Sequence, residues 1–156
     1  RFGSGRSVTA EVGRFVVQQQ WAEAVHTYIS KEGEHESPEV ATFRKHVREN
    51  GITKEGLALA PDWLGYERRM TEHLLENPED CVGAFRKLPN NLQLMTIHAL
   101  QSVVFNRSLR HRLENGISIT KPEAGDLVGR LDLTWVDESF AVKTHLRPLH
   151  ANRLES

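Results

Sequence analysis

From Met95 to Arg107 the chain reads Met-Thr-Ile-His-Ala-Leu-Gln-Ser-Val-Val-Phe-Asn-Arg, a run whose apolar residues fall on most sides of a helix. On helical spacing His98, Ser102, Asn106 and Arg110 follow one another at i, i+4, i+8 and i+12 with Gln101 beside them, so they share one line. Leu92, Met95, Ile97, Ala99, Leu100, Val103, Val104 and Phe105 take the other sides. A helix apolar on most sides is one that a fold buries, so the rest of the chain is expected to pack around it. Burying a hydroxyl and two amides without partners costs roughly 1–3 kcal/mol each, so these groups must meet backbone, polar side chains, water or a ligand. A satisfied core network and a functional site are the two ways to supply those partners.

A length of 156 residues, 38% hydrophobic and 26% charged, suits one soluble domain with its own core. Twenty Lys and Arg against twenty-one Asp and Glu leave a net charge of -1. That excludes the basic balance of a domain that holds nucleic acid by charge alone, so any RNA contact must be local. Cys81 has no second thiol for a disulfide or a metal, which points to a reducing compartment. No apolar run reaches membrane-spanning length and no signal peptide is visible, so a cytoplasmic protein with no membrane contact is expected. The chain opens on Arg1-Phe2-Gly3 rather than Met, from which we expect a piece of something longer.

Val8, Val12, Phe15 and Val16 recur at helical spacing, placing a first helix at about 8–19. The period resumes at Trp21, Ala24, Val25, Tyr28 and Ile29 after a triple glutamine that reads as a kink or short loop. Ser37-Pro38-Glu39 is an N-cap followed by proline at the first helical position, and Asn50-Gly51 is a stop. Thr53 can cap a short helix. Gly65 to Asn77 carries Tyr66, Met70, His73 and Leu74 on one face, and a short helical stretch follows Pro78. The long helix runs over about 91–115, closed by Asn115-Gly116. Beyond Gly116, the residues Ile117, Ile119, Leu127, Val128, Leu131, Leu133, Trp135 and Val136 form short β-like runs broken by Pro122 and Gly125, predicting a small sheet or hairpin pair. The tail from Ser139 stays open between a strand at Val142 and a helix through Leu146, Leu149 and Leu154. The expected class is α+β: mainly a helical bundle around a long buried helix, with a small β-sheet in the C-terminal third.

Eight histidines prompt a search for a metal site, yet no His-Glu-x-x-His, Cys-x-x-Cys or close helical histidine pair occurs. Phosphate loops, dinucleotide fingerprints and nucleophile elbows are missing from the sequence as well. Arg107, Arg110, His111 and Arg112 make a basic end to the long helix. They suit RNA phosphates, or simply the helix C-terminus, where a cation contributes about 0.3–1 kcal/mol. Arg44, Lys45, His46 and Arg48 form a second cluster, balanced by Glu39 and Glu49 and read as surface. The Tyr66-Glu67 side of its helix is read as docking within the domain.

Taken together, Arg1-Phe2-Gly3-Ser4-x-Arg6-x-Val8-Thr9-x-x-Val12-Gly13, Tyr66-Glu67-Arg68, Gly83-Ala84-Phe85-Arg86-x-Leu88-Pro89-x-Asn91-Leu92, His98-Ala99-x-Gln101-Ser102-x-x-Phe105-Asn106 and Gly125-Asp126 resemble the TruD family of tRNA pseudouridine synthases, particularly its archaeal branch. The blocks stand in the family's order and cover most of the chain up to about Val128. This sequence departs where the family has Arg-Pro-x-Thr-His, since Ser7 follows Arg6 and Ala10 holds the histidine position. Leu100 and Val103 also stand where aromatic residues are common.

The resemblance implies an isomerase that turns a uridine of tRNA, in the D-arm region, into pseudouridine with one catalytic aspartate and without metal or cofactor. The family's aspartate lies in a Gly-x-Lys-Asp segment, and this chain has no Lys-Asp pair. Asp126 matches a non-catalytic family position and is expected to order a turn. The whole of 1–156 is therefore expected to be the family's insert domain, with the catalytic domain outside the chain and no catalytic residue within it. The expected partners are tRNA and that catalytic domain. Candidates for RNA contact or for lining the cleft are Arg1, Phe2, Gly3, Arg6, Gln101, Ser102, Phe105, Asn106, Arg107 and Arg110. Arg1 and Arg6 lead for phosphate contact, with a solvated linker as the competing role, while Gln101, Ser102 and Asn106 are expected to orient neighbouring chain by hydrogen bonds. A non-catalytic RNA-binding or protein-interaction module is the alternative.

Overall fold

The computed structural model describes residues 8–131 and 144–148. Arg1, Phe2, Gly3 and Arg6, the strand expected at Leu133 to Val136 and most of the tail lie outside the described residues. Two helices open the chain, α1 (Thr9–Val17) and α2 (Trp21–Ser30). Between them the glutamines make a tight turn, with Gln19 at φ 58 and the Gln20 N–H on the Phe15 carbonyl at 2.9 Å. A short connection of this kind folds α2 back on α1.

Three of the next four helices start or stop where local chemistry dictates. Helix α3 (Pro38–Asn50) has Ser37 at its N-cap, accepting from the Val40 N–H, and ends at Gly51 with φ 74. The Thr53 hydroxyl accepts from the Gly56 N–H at 2.9 Å to start α4 (Lys54–Leu59). Helix α5 (Gly65–Glu76) follows, and Asp80 caps α6 (Cys81–Phe85) through the Gly83 N–H at 2.8 Å. Each such cap satisfies an amide that the helix itself leaves unpaired and stabilises by about 0.5–2 kcal/mol.

The core lies among α1, α2, α3, α5 and α6. Val12, Val25, Ile29, Phe43, Val47 and Met70 are fully buried there, with Leu74, Phe85 and Leu88 closing it. Two charged side chains, Arg44 and Glu67, are buried with them. Arg44 donates Nε to both carboxylate oxygens of Glu36 at 2.9 Å, one terminal nitrogen to the Ile29 carbonyl at 2.6 Å, and the other to Glu67 at 3.2 Å. An ion this deep is tolerated only when its hydrogen-bond donors are matched in this way. Arg44 is thus a structural pin and not the surface residue its basic neighbours imply, and Glu67 docks inward as expected.

Helix α7 (Asn90–Glu114) corrects the expectation of a long buried helix at the centre. Along its 25 residues only Thr96 and Ala99 are buried, while Leu94, Val104, Phe105 and Leu113 are more than half exposed. The core belongs to the shorter helices, and α7 lies against α1 along one edge. The contact is made at Gly13, where a Cβ would fall 2.7 Å from the Thr96 carbonyl carbon and nearer still to its oxygen, so only glycine allows this approach.

The α+β class is corrected as well. Residues 117–126 form turns, not strands, because Arg112 at the end of α7 gathers the Ser118 and Lys121 carbonyls and the Asp126 carboxylate into a compact loop. Strands β1 (Leu127–Leu131) and β2 (Thr144–Pro148) form one antiparallel pair, Leu127 opposite Pro148 and Leu131 opposite Thr144. Two five-residue strands without a third among the described residues do not make a sheet layer on which a domain is built. The class is a helical bundle. By contacts the chain divides into two compact units, up to Phe105 and from Asn106 onward.

Candidate functional site: the outer face and basic end of the long helix

Of the predicted site residues, the structure describes those on α7. Gln101, Ser102 and Phe105 belong to the first compact unit, and Asn106, Arg107 and Arg110 to the second. All six are exposed. Of the two roles the sequence leaves open for Gln101, Ser102 and Asn106, the satisfied core network is therefore not formed. Ser102 turns its hydroxyl back to the His98 carbonyl at 2.9 Å, a local bond that asks nothing of a partner. Among the described residues neither Gln101 nor Asn106 has a side-chain hydrogen bond, so both amides are available to outside groups.

In the first unit, Leu94, Ile97, Gln101, Val104 and Phe105 recur at helical spacing on the side of α7 opposite Thr96 and Ala99. This stripe runs into a groove of about 490 Å3 between the end of α1, the start of α2, α6 and the start of α7. Val16, Trp21, Val82, Phe85, Leu94 and Ile97 supply its apolar walls, with Arg86, Asn90 and Gln93 at its polar part. Trp21 and Phe85 lie with ring centroids 5.7 Å apart at 54°, a tilted aromatic pair that fixes the groove wall. The sequence pattern assigns Ile97 and Val104 to a core. The run from Asn90 to Asn106 holds no Asp, Glu, Lys or Arg, which marks the helix as one to be covered but not by what.

In the second unit the four basic residues at the end of α7 divide by role. Arg112 is committed to structure: its guanidinium grips both Asp126 oxygens at 2.6 and 2.8 Å. That hydrogen bond, with a further one from the Glu123 N–H, holds the Asp126 carboxyl below its ordinary pKa. Asp126 thus orders the turn as expected. Arg107 and Arg110 are exposed and make no ion pair among the described residues, which leaves both guanidinium groups open to an anion. Among the described residues no His, Cys, Asp and Glu side chains gather as a metal-ligand group, and no helix is long and apolar enough to cross a membrane.

The described residues thus form a helical module with an exposed apolar stripe on one helix and two arginines without an ion pair among those residues. Comparison with known proteins gives that helical module its family. The family model described as tRNA pseudouridine synthase D (TruD) matches residues 1–152. A probable tRNA pseudouridine synthase D of Methanopyrus kandleri is 43% identical over 128 residues, covering 81% of this chain and 32% of the relative. The corresponding protein of Methanosarcina acetivorans is 44% identical over 128 residues, covering 82% and 29%. A crystal structure of the putative tRNA pseudouridine synthase D from Methanosarcina mazei superposes with a TM-score of 0.80 at 34% identity, over 99% of this chain and 34% of that one. The chain belongs to the TruD family. It spans about a third of the length of the relatives it matches.

Proposed function

We propose that the chain is the insert domain of a cytoplasmic tRNA pseudouridine synthase, an isomerase that acts on a uridine in the D-arm region of tRNA. The observation that carries this reading is the family match across nearly the whole chain. The catalytic aspartate belongs to the other part of such a polypeptide, so this chain alone is inactive. Isomerisation at a base requires the uridine to leave its stack, which costs a few kcal/mol and is offset by contacts around the pocket. Arg107 and Arg110 are suited to phosphates, which position an RNA without reading it. Arg1 and Arg6 are assigned the same role, with Phe2 packing at the junction and Gly3 allowing a close turn. Gln101 and Asn106, with amides open, support the cleft by hydrogen bonds to neighbouring chain, with Ser102 and Phe105 beside them.

The test is pseudouridine formation in a tRNA transcript by the full-length parent, beside a variant with its upstream Gly-x-Lys-Asp aspartate changed to alanine. Activity in the first and none in the second is expected. Binding of tRNA without activity in either refutes the synthase reading in favour of a binding module. For the arginines, Arg107→Ala and Arg110→Ala should each lower the salt dependence of tRNA affinity, by about one in the log–log slope for each lost contact. An unchanged slope removes them from the RNA interface.

A further inference from the structure

The first half of α7 is dressed for the inside of a protein and stands on the outside of this one. For seventeen residues, Asn90 to Asn106, it carries no Asp, Glu, Lys or Arg, yet Leu94 is 57%, Val104 56% and Phe105 67% exposed. Single exposed apolar residues need no explanation. Here they lie in one stripe continuous with an apolar groove, and solvated helix faces ordinarily carry charge.

The chemistry of the stripe narrows the occupant. A nucleic acid surface is met with cations, and the stripe has none. The relatives supply the alternative, since each is about three times as long as the part this chain matches. We propose that the outer face of α7, through Leu94, Ile97, Val104 and Phe105, is the seat of the remaining part of the longer polypeptide. An apolar side chain of that part fills the groove beside Trp21 and Phe85. Gln101, in the middle of the stripe, gives the seat its one polar fixing point. The inference rests on the reading that the chain works as part of a longer enzyme, and it leaves RNA contact to the arginines.

The experiment is thiol alkylation of the native full-length parent, read peptide by peptide by mass spectrometry. Val104→Cys is compared with Glu49→Cys and Glu55→Cys, which lie on α3 and α4 away from the face, and Leu94→Cys repeats the measurement so that a folding defect in one variant is recognised. Alkylation at 94 and 104 at least about tenfold slower than at 49 and 55 is expected. Equal rates overturn the proposal. Slowing that appears only when tRNA is added assigns the face to RNA and also overturns it, as does slowing that follows protein concentration, which assigns it to a second copy. No outcome depends on pseudouridine formation, so failure of this docking and failure of the synthase reading are separate results.

Discussion

Replacing Gly13 by alanine tests the crossing of α1 and α7 with opposing terms of known size. Gly13 sits inside α1, where alanine is favoured by about 1 kcal/mol on helix propensity alone. Its Cβ, however, would lie 2.7 Å from the Thr96 carbonyl carbon and 3.3 Å from the Leu100 Cβ. Ordinary carbon contacts begin near 3.5 Å, so the two backbones must part by about 1 Å. The obstacle is main chain on both sides and cannot rotate away. Overpacking of this kind costs 1–3 kcal/mol, and the upper end applies because Thr96 and Ala99 lose cover as well. The net expectation is a loss of about 2 kcal/mol, which for a chain of this size lowers the melting midpoint by about 4–8 °C. Thermal unfolding followed by circular dichroism reads it. Gly65→Ala is the control: it opens α5 with nothing within 4 Å of its Cβ, and should gain about 0.4–1 kcal/mol. If Gly13→Ala melts at or above the wild type, the crossing described here is wrong.

Arg44→Ala leaves Glu67 buried without its guanidinium and should destabilise by about 3–5 kcal/mol in chemical denaturation; Arg44→Lys should recover only part, since a single ammonium cannot reach three acceptors in fixed directions. The Asp80 carboxyl is held below its ordinary pKa of 3.8, first by the Gly83 N–H and then by the His73 ring. Its folded value lies below its unfolded one, so its contribution to α6 is complete above the unfolded value and is lost as pH falls through the folded one. A carboxyl titration by NMR should show a midpoint under 3.8, and a midpoint at or above it would contradict the cap. Arg112→Ala should speed amide exchange across residues 118–126 with little change in α1 to α6, and uniform exchange throughout would contradict the clamp.

What could be read from the sequence was mostly local. Ser37, Thr53, Gly51 and Gly116 announce helix ends because caps depend on a few adjacent residues, and the structure has helices beginning or ending at each. Arg44 could not be placed, because its partner Glu67 is remote in sequence and nothing in a basic cluster tells which member turns inward. Ile117 and Ile119 carry β propensity, but Arg112 organises their segment into turns through backbone carbonyls that leave no mark on composition. The hardest case was α7. Apolar residues on every side state that a helix is covered without stating by which body, and this fold covers only one edge. The polar line through His98, Ser102 and Asn106 is legible as a line, whereas its burial follows only if the apolar neighbours are covered, and of these Ala99 alone is buried. Of the candidate site, the unpaired state of Arg107 and Arg110 emerges only once Arg112 is seen holding Asp126.

The connection between α2 and α3 looks, by its polar composition, like the natural place to splice a tag or probe. Three ion pairs argue otherwise. Lys31 reaches Glu11, Glu32 reaches Arg48 at 2.5 Å, and Glu36 reaches the buried Arg44 at 2.9 Å. Their partners stand at fixed places on α1 and α3, so the segment has a set length and phase. An added residue between Lys31 and Glu36 would move at least one carboxylate off its cation, and the most expensive to displace is the one that reaches the interior. A polar surface segment can thus be as intolerant of insertion as the core it borders.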